Sequence, residues 1–233
     1  MIRIGIDDTD IVGSPGTNQL ARAIVRDLAD RADLVRITRH QLLDDPRVPY
    51  TSQNGSASIL LNPTGALSLD EVIGACRVRM LDWFIVGSDP GLCVTDHVPP
   101  EVVEWGHRCK TDLVTKAMAY ELAQRLGIHL EGLGGTEGGV IGALAAIGLA
   151  ETEHDGRLVN WQLWPDDLSA EVAVELITPR QIDVVIQATG EHLTTGTVHV
   201  GNHLRPNLSR GRATLWVEPS ELGGSVWKAL KLK

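Results

Sequence analysis

Ile4-Gly5-Ile6-Asp7-Asp8-Thr9-Asp10 is a short apolar run that breaks into three carboxylates within four positions. Ile2, Ile4 and Ile6 alternate at the period of a half-buried strand, Gly13-Ser14-Pro15-Gly16 makes a turn, and a helical pattern begins near Thr17. The predicted order is strand, acidic loop, helix. Asp8 and Asp10 in that order suit Mg²⁺, and the amides of the following helix N-terminus suit a phosphate. Neighbouring carboxylates repel one another, which costs free energy unless a cation or hydrogen-bond donors offset it. The same residues also fit a solvated turn in which Asp7 or Asp10 caps local backbone amides.

Working outward, Leu20, Ile24 and Leu28 place an amphipathic helix over Thr17 to Ala32, and Leu34, Val35 and Ile37 a second strand. Pro46, Pro49, Asn54 and Gly55 mark a long loop, long enough to be functional, before a strand over Ala57 to Leu61. Leu69, Val72, Ile73 and Cys76 give a helical stripe ending near Leu81, and Gly87 to Gly91 introduces a strand over Leu92 to Thr95. Helical spacing runs from Val102 to Leu126, predicting the longest helix of the chain with its cap at Gly127. Ile128 to Leu130 reads as a strand, and the small, uncharged residues from Val140 to Leu149 as a helix buried on all sides. Beyond a boundary near Ala150, Leu158 to Trp164, Ile182 to Gln187, Thr197 to Val200 and Ala213 to Val217 read as strands, with a helix around Leu168 to Leu176. The expected fold is α/β with a mixed sheet: a domain over residues 1–150 and a smaller α+β portion over 151–233.

The 233 residues suffice for a substantial core, and no apolar run reaches the length of a membrane span, so the expected location is cytoplasmic. Cys76, Cys93 and Cys109 are too widely spaced for a zinc ribbon or a disulfide framework. A formal net charge of -9 argues against a generally basic surface for a polyanion. The segment from His199, with Arg205, Arg210, Arg212, Lys228, Lys231 and Lys233, is locally basic and fits either a solvated face or the neutralisation of a phosphorylated substrate. His97, His107, His199 and His203 show no metal-binding spacing.

Glycines from Gly132 to Gly142 permit close backbone approach, either to a phosphate or to a neighbouring element packed on the following helix. They match neither the dinucleotide nor the Walker pattern. Thr17 is placed to cap its helix and lies near enough to the acids to bind metal, contact phosphate or accept a phosphoryl group. Arg47 and Tyr50 are within reach of a nucleotide, or are surface residues.

Taken together, Ile4 to Asp10, Gly16-Thr17-Asn18-Gln19-Leu20-Ala21, Pro46 to Tyr50 with Asn54 to Ala57, Met80-Leu81-Asp82, Asp89-Pro90-Gly91 and Gly139 to Gly148 resemble the ATP-dependent kinase-like domain of archaeal tRNA-isoleucine 2-agmatinylcytidine synthetase. The resemblance covers about residues 1 to 150. It implies an enzyme that binds ATP and Mg²⁺ and activates an oxygen by phosphoryl transfer, after which an amine displaces the phosphate. Carried onto this chain, it assigns Asp7, Asp8 and Thr17 to catalysis, Asp8 and Asp10 to metal, and Asn54, Gly55, Gly138, Gly139 and Gly142 to the nucleotide. The family's basic residue in the glycine motif is here Gly138, and three cysteines cannot supply its zinc ribbon. The expected acceptor is therefore a small molecule. The alternatives are a tRNA-modification enzyme working with a separate RNA-binding partner, and a non-catalytic nucleotide-binding protein.

Overall fold

The structure, a computed structural model, describes residues 1–48, 54–161, 166–221 and 225–232. Its first six elements are β1 (Ile2–Asp7), α1 (Thr17–Asp27), β2 (Ala32–Gln41), β3 (Gly55–Pro63), α2 (Leu69–Asp82) and β4 (Gly91–Thr95). They form a split βαβ unit, with the strands side by side as β4-β1-β3-β2 and every neighbouring pair antiparallel. Ile2, Ile4 and Ile6 bury one face of β1 against Leu20 and Ile24 of α1 and Val72 and Ile73 of α2. Ser68 starts α2 with a capping box closed by Glu71, which satisfies two amides that the helix itself cannot.

The opposite face is covered by α3 (Pro100–Thr111), α4 (Lys116–Leu126) and α5 (Val140–Glu151), with β5 (His129–Gly132) added beyond β4. Helix α5 carries no charge before Glu151, and its core side chains Leu144 and Ile147 pack with Val102, Trp105 and Ala119. At Gly5 a Cβ would lie 2.0 Å from the Ala143 carbonyl oxygen, so β1 and α5 meet backbone to backbone.

The rest of the chain comprises β6 (Arg157–Trp161), β7 (Ala170–Ala173), α6 (Val174–Ile177), β8 (Ile182–Ile186), β9 (Thr197–Gly201), β10 (Asn207–Ser209), β11 (Arg212–Pro219) and β12 (Val226–Ala229). Strand β6 pairs with β2 on one side and β10 on the other, extending the sheet as β6-β10-β11-β12-β9-β7, with β8 alongside β11. Twelve strands are joined in one mixed sheet among the described residues. A third apolar cluster, including Val172, Val184, Val198 and Leu215, supports this portion.

Three elements differ from the sequence reading. The helix expected over Val102 to Leu126 is two helices: Asp112 is extended (φ -120°, ψ 153°), and the Thr115 hydroxyl caps a new start by accepting from the Met118 amide at 3.4 Å. The longest helix among the described residues is consequently α2, with 14 residues. The helix expected over Leu168 to Leu176 is strand β7 followed by the single turn α6, because Ala170 has φ +57° and Val172 enters the third cluster opposite Val198. Helix α1 stops at Asp27, earlier than Ala32, which opens β2. Tyr50, Trp164 and Lys233 lie outside the described residues. Among the described residues no helix is long and apolar enough to cross a membrane. The three cysteines are unpaired and buried.

Candidate functional site

Because β1 and β2 both run antiparallel to β3, their C-terminal ends share one sheet edge with the starts of β3, α1 and α5. The register places Asp7 opposite Gly91 and Gln41 opposite Gly55 at this edge. A cavity of about 200 Å³ opens there. Its polar wall holds Asp7, Asp8, Asp10, Asn54, Asp89 and Thr136, and Gly55, Gly138, Gly139 and Gly142 complete that side. Leu42, Val48, Leu113, Val114 and Ile141 form an apolar wall. Every site residue that the resemblance assigns lines this cavity except Thr17, which is one hydrogen bond away.

The approach of α5 to β1 explains two of the glycines. A Cβ at Gly142 would stand 1.8 Å from Asp7 Oδ2, and one at Gly139 would stand 2.5 Å from the Asp89 carbonyl oxygen. The Gly139, Val140 and Ile141 amides donate to the carbonyls of Asp89, Glu137 and Gly138, so this turn is spoken for by backbone. Gly138 faces Asp89 and Thr136 with ordinary clearance, its nearest contact for a Cβ being 3.5 Å. Asp8 turns the chain out of β1 with φ +51°, a left-handed conformation that Asp tolerates better than most residues and that recurs at functional sites. The Asp8 carbonyl accepts from the Asp89 amide at 3.1 Å, tying the loop after β1 to the loop before β4.

Thr17 does not cap α1. Gly16 holds that position without a side-chain bond, while the Thr17 hydroxyl donates to Asp10 Oδ1 at 3.0 Å and accepts from the Thr9 hydroxyl at 3.0 Å. The Asn54 side chain donates to the Leu43 carbonyl at 2.8 Å, fixing the cavity wall after β2. Arg47 folds back onto Asp45 as an exposed ion pair. Sequence reasoning overlooked Asp89 and Thr136 as site residues: the Thr136 amide and hydroxyl both donate to the Asp89 carboxylate at 2.6 Å. Their only sequence signal was Asp89-Pro90-Gly91.

Crowded carboxylates set the electrostatics. Burial, and then the Asp8 charge, pushes the Asp7 carboxyl up to about 7. Asp8 is pushed up to about 6 by burial, then by Asp89 and Asp10. No cluster of three or more His, Cys, Asp or Glu among the described residues is arranged to hold a metal by itself. Mg²⁺ does not need one, since it is commonly held by one or two carboxylates together with water and phosphate oxygens. Asp8 and Asp10 are hard oxygen donors of that kind, on an open cavity and in a field that favours a cation.

No protein-family model and no curated protein sequence matches the chain. Among solved structures, it superposes on the TiaS–tRNA(Ile2)–ATP complex with a TM-score of 0.56 and 22% identity, over 63% of this chain and 36% of that one. Apo TiaS, the tRNAIle2 agmatidine synthetase, gives 0.56 and 20%, over 63% and 35%. Over that 63%, the fold is that of part of TiaS. A structure described as a tRNA fluorescent labeling enzyme matches equally, with a TM-score of 0.56 and 22% identity. The aligned part spans about 35% of the length of that enzyme and of apo TiaS, and at such identity the likeness to TiaS is one of fold.

Proposed function

We propose that the protein is an ATP- and Mg²⁺-dependent enzyme that activates an oxygen of a nucleotide base by phosphoryl transfer, as a tRNA-modifying enzyme of TiaS type. The observation that carries this reading is the convergence of Asp7, Asp8, Asp10 and Asp89 on one cavity, two of them held toward the protonated form. It is supported by a fold shared with structures of TiaS in complex with tRNA(Ile2) and ATP, and with tRNA(Ile2), AMPCPP and agmatine.

When bound, ATP supplies the phosphoryl group and Mg²⁺ the positive charge that phosphoryl transfer chiefly needs. Asp8 and Asp10 present their oxygens to the cation. Asp7, ionising near 7, exchanges a proton at its carboxylate close to neutral pH and is suited to accept one from an incoming nucleophile. Thr17 holds Asp10 in place and offers the hydroxyl that the resemblance assigns to phosphorylation. Asn54, Gly55 and Gly138 line the space for the nucleotide. Residues 1–150 carry this chemistry, and residues 151–233 serve the acceptor.

A second reading, a small-molecule acceptor, is favoured by the net charge of -9, which disfavours a polyanion. Calorimetry of ATP with and without Mg²⁺, on wild type and Asp8→Asn, tests the shared premise, with nucleotide products followed by chromatography. Metal-dependent binding lost in the variant is expected, and absence of ATP binding by wild type under both conditions would refute it. Retention of tRNA at low salt, falling steeply with added salt, separates the first reading from the second.

A further inference from the structure

The same sheet edge carries a feature of opposite sign on the α1 side. Arg39 of β2 and Arg157 of β6 are direct partners across the ladder, in a row that continues through Ala57 to Ile6. Residues paired across neighbouring strands project to one face, so both side chains leave the sheet on the face that carries Ile6 and Ala57. The row ends in two half-buried cations. Like charges placed opposite each other destabilise a sheet, and among the described residues no carboxylate is hydrogen-bonded to either guanidinium, Asp7 and Asp10 acting on Arg39 only from a distance. Asp166 is already shared by Arg22 and Arg205, each at 2.6 Å. Among the described residues the Arg157 side chain has no hydrogen bond or ion pair. Arg39 makes a long contact with Gln41 Oε1 at 3.5 Å, and its Nη2 stands 2.6 Å from where a Gly55 Cβ would be, covering the backbone that lines the acidic cavity. Burial lowers both arginines from their usual range; Arg157 presses further on Arg39, while Asp7 and Asp10 act in the other sense. Neither arginine lines the acidic cavity itself.

Two adjacent, partly desolvated guanidiniums without a carboxylate make a fork for a phosphate, which accepts bidentate bonds from each. We propose that Arg39 and Arg157 form an anion subsite that holds a phosphate of the acceptor nucleotide beside the acidic loop. The identity of the acceptor rests on the phosphoryl-transfer reading above; the presence of an anion site does not. Arg157 also explains how residues beyond 150 enter the chemistry: they complete the subsite that Arg39 begins.

The test is calorimetry on the full chain as wild type, Arg157→Gln and Arg157→Lys. The probes are inorganic phosphate, the nucleoside 5′-monophosphates and unfractionated tRNA, with Mg–ATP as reference. Arg157→Gln should weaken a phosphate-bearing probe by about tenfold or more, the loss expected for charge-assisted hydrogen bonds, and Arg157→Lys by less. Mg–ATP binding should change less than twofold, and the melting temperature of Arg157→Gln should rise as the repulsion is relieved. A purely structural role predicts a fall instead. Loss on monophosphates identifies a mononucleotide acceptor, and loss confined to tRNA a phosphodiester. The proposal is overturned if wild type binds none of the three probes, if Arg157→Gln leaves them unchanged, or if it weakens Mg–ATP equally. Phosphate binding without ATP binding would sink the phosphoryl-transfer reading and leave the anion site standing.

Discussion

Replacing Asp7 by Asn should stabilise the protein at alkaline pH and leave it unchanged in acid. The Asp7 carboxyl sits under Gly142 and is pushed up by burial to about 7, well above the ordinary carboxylate range. Since the folded state holds this proton more tightly than the unfolded chain, the associated stability is fully present below about pH 4 and is lost as pH rises toward 7. A displacement of that size corresponds to up to about 4 kcal/mol. For a chain of this size that is roughly 8 to 16 °C in melting temperature. Asn carries no charge to bury, so thermal melts of the two proteins should coincide near pH 4 and separate by pH 8, with Asp7→Asn the more stable. Mg²⁺ with ATP should narrow the gap by favouring the ionised carboxylates. Curves that run parallel across the whole range, or a variant less stable at pH 8, would refute the reasoning.

Gly142→Ala forces a Cβ to within 1.8 Å of Asp7 Oδ2, so the carboxyl must swing away. Mg–ATP binding should fall at least tenfold by calorimetry, with a loss of about 1 to 3 kcal/mol in urea melts from overpacking. His40, fully buried, shares hydrogen bonds with Asp155 Oδ1 and the Ser58 hydroxyl, each at 2.8 Å, and Asp155 also pairs with Lys110. Burial holds its imidazole below the usual range in spite of Asp155, so the stability it contributes is present above pH 6.5 and lost as pH falls. His40→Gln should flatten the acid limb of the stability profile, measured by melts between pH 6.5 and 5.

Strand β1 and helix α5 were legible because their residue patterns answer to a single surrounding: Ile2, Ile4 and Ile6 face one core, and the uncharged run after Gly139 is enclosed on every side. The acids from Asp7 to Asp10 stood out because three adjacent charges serve no packing purpose. The break before Lys116 was hidden, since apolar spacing continues through it and the signal is one Thr115 hydroxyl. Strand β7 was hidden by its pairing with β9, which outweighs local helical spacing. Asp89 with Thr136, His40 with Asp155, and Arg39 with Arg157 join residues far apart in the chain, and one residue of such a pair has no distinguishing neighbourhood. Three of the six basic residues visible near the C-terminus are paired: Arg205 with Asp166, Arg212 with Asp183, Lys228 with Glu218. The cation that matters most to the proposed subsite, Arg157, was not among them.

The ladder between β2 and β6, from Arg36 opposite Trp161 to Arg39 opposite Arg157, bears on how the protein can be dissected. A fragment ending at Ala150 would leave the outer backbone of β2 bare, with amides and carbonyls aligned to recruit a strand from another molecule. It would also strip Asp155 from buried His40 and leave Lys110 without its acid. Expressed alone, such a fragment should self-associate through that edge, and biochemistry performed on it would report the aggregate as much as the acidic cavity.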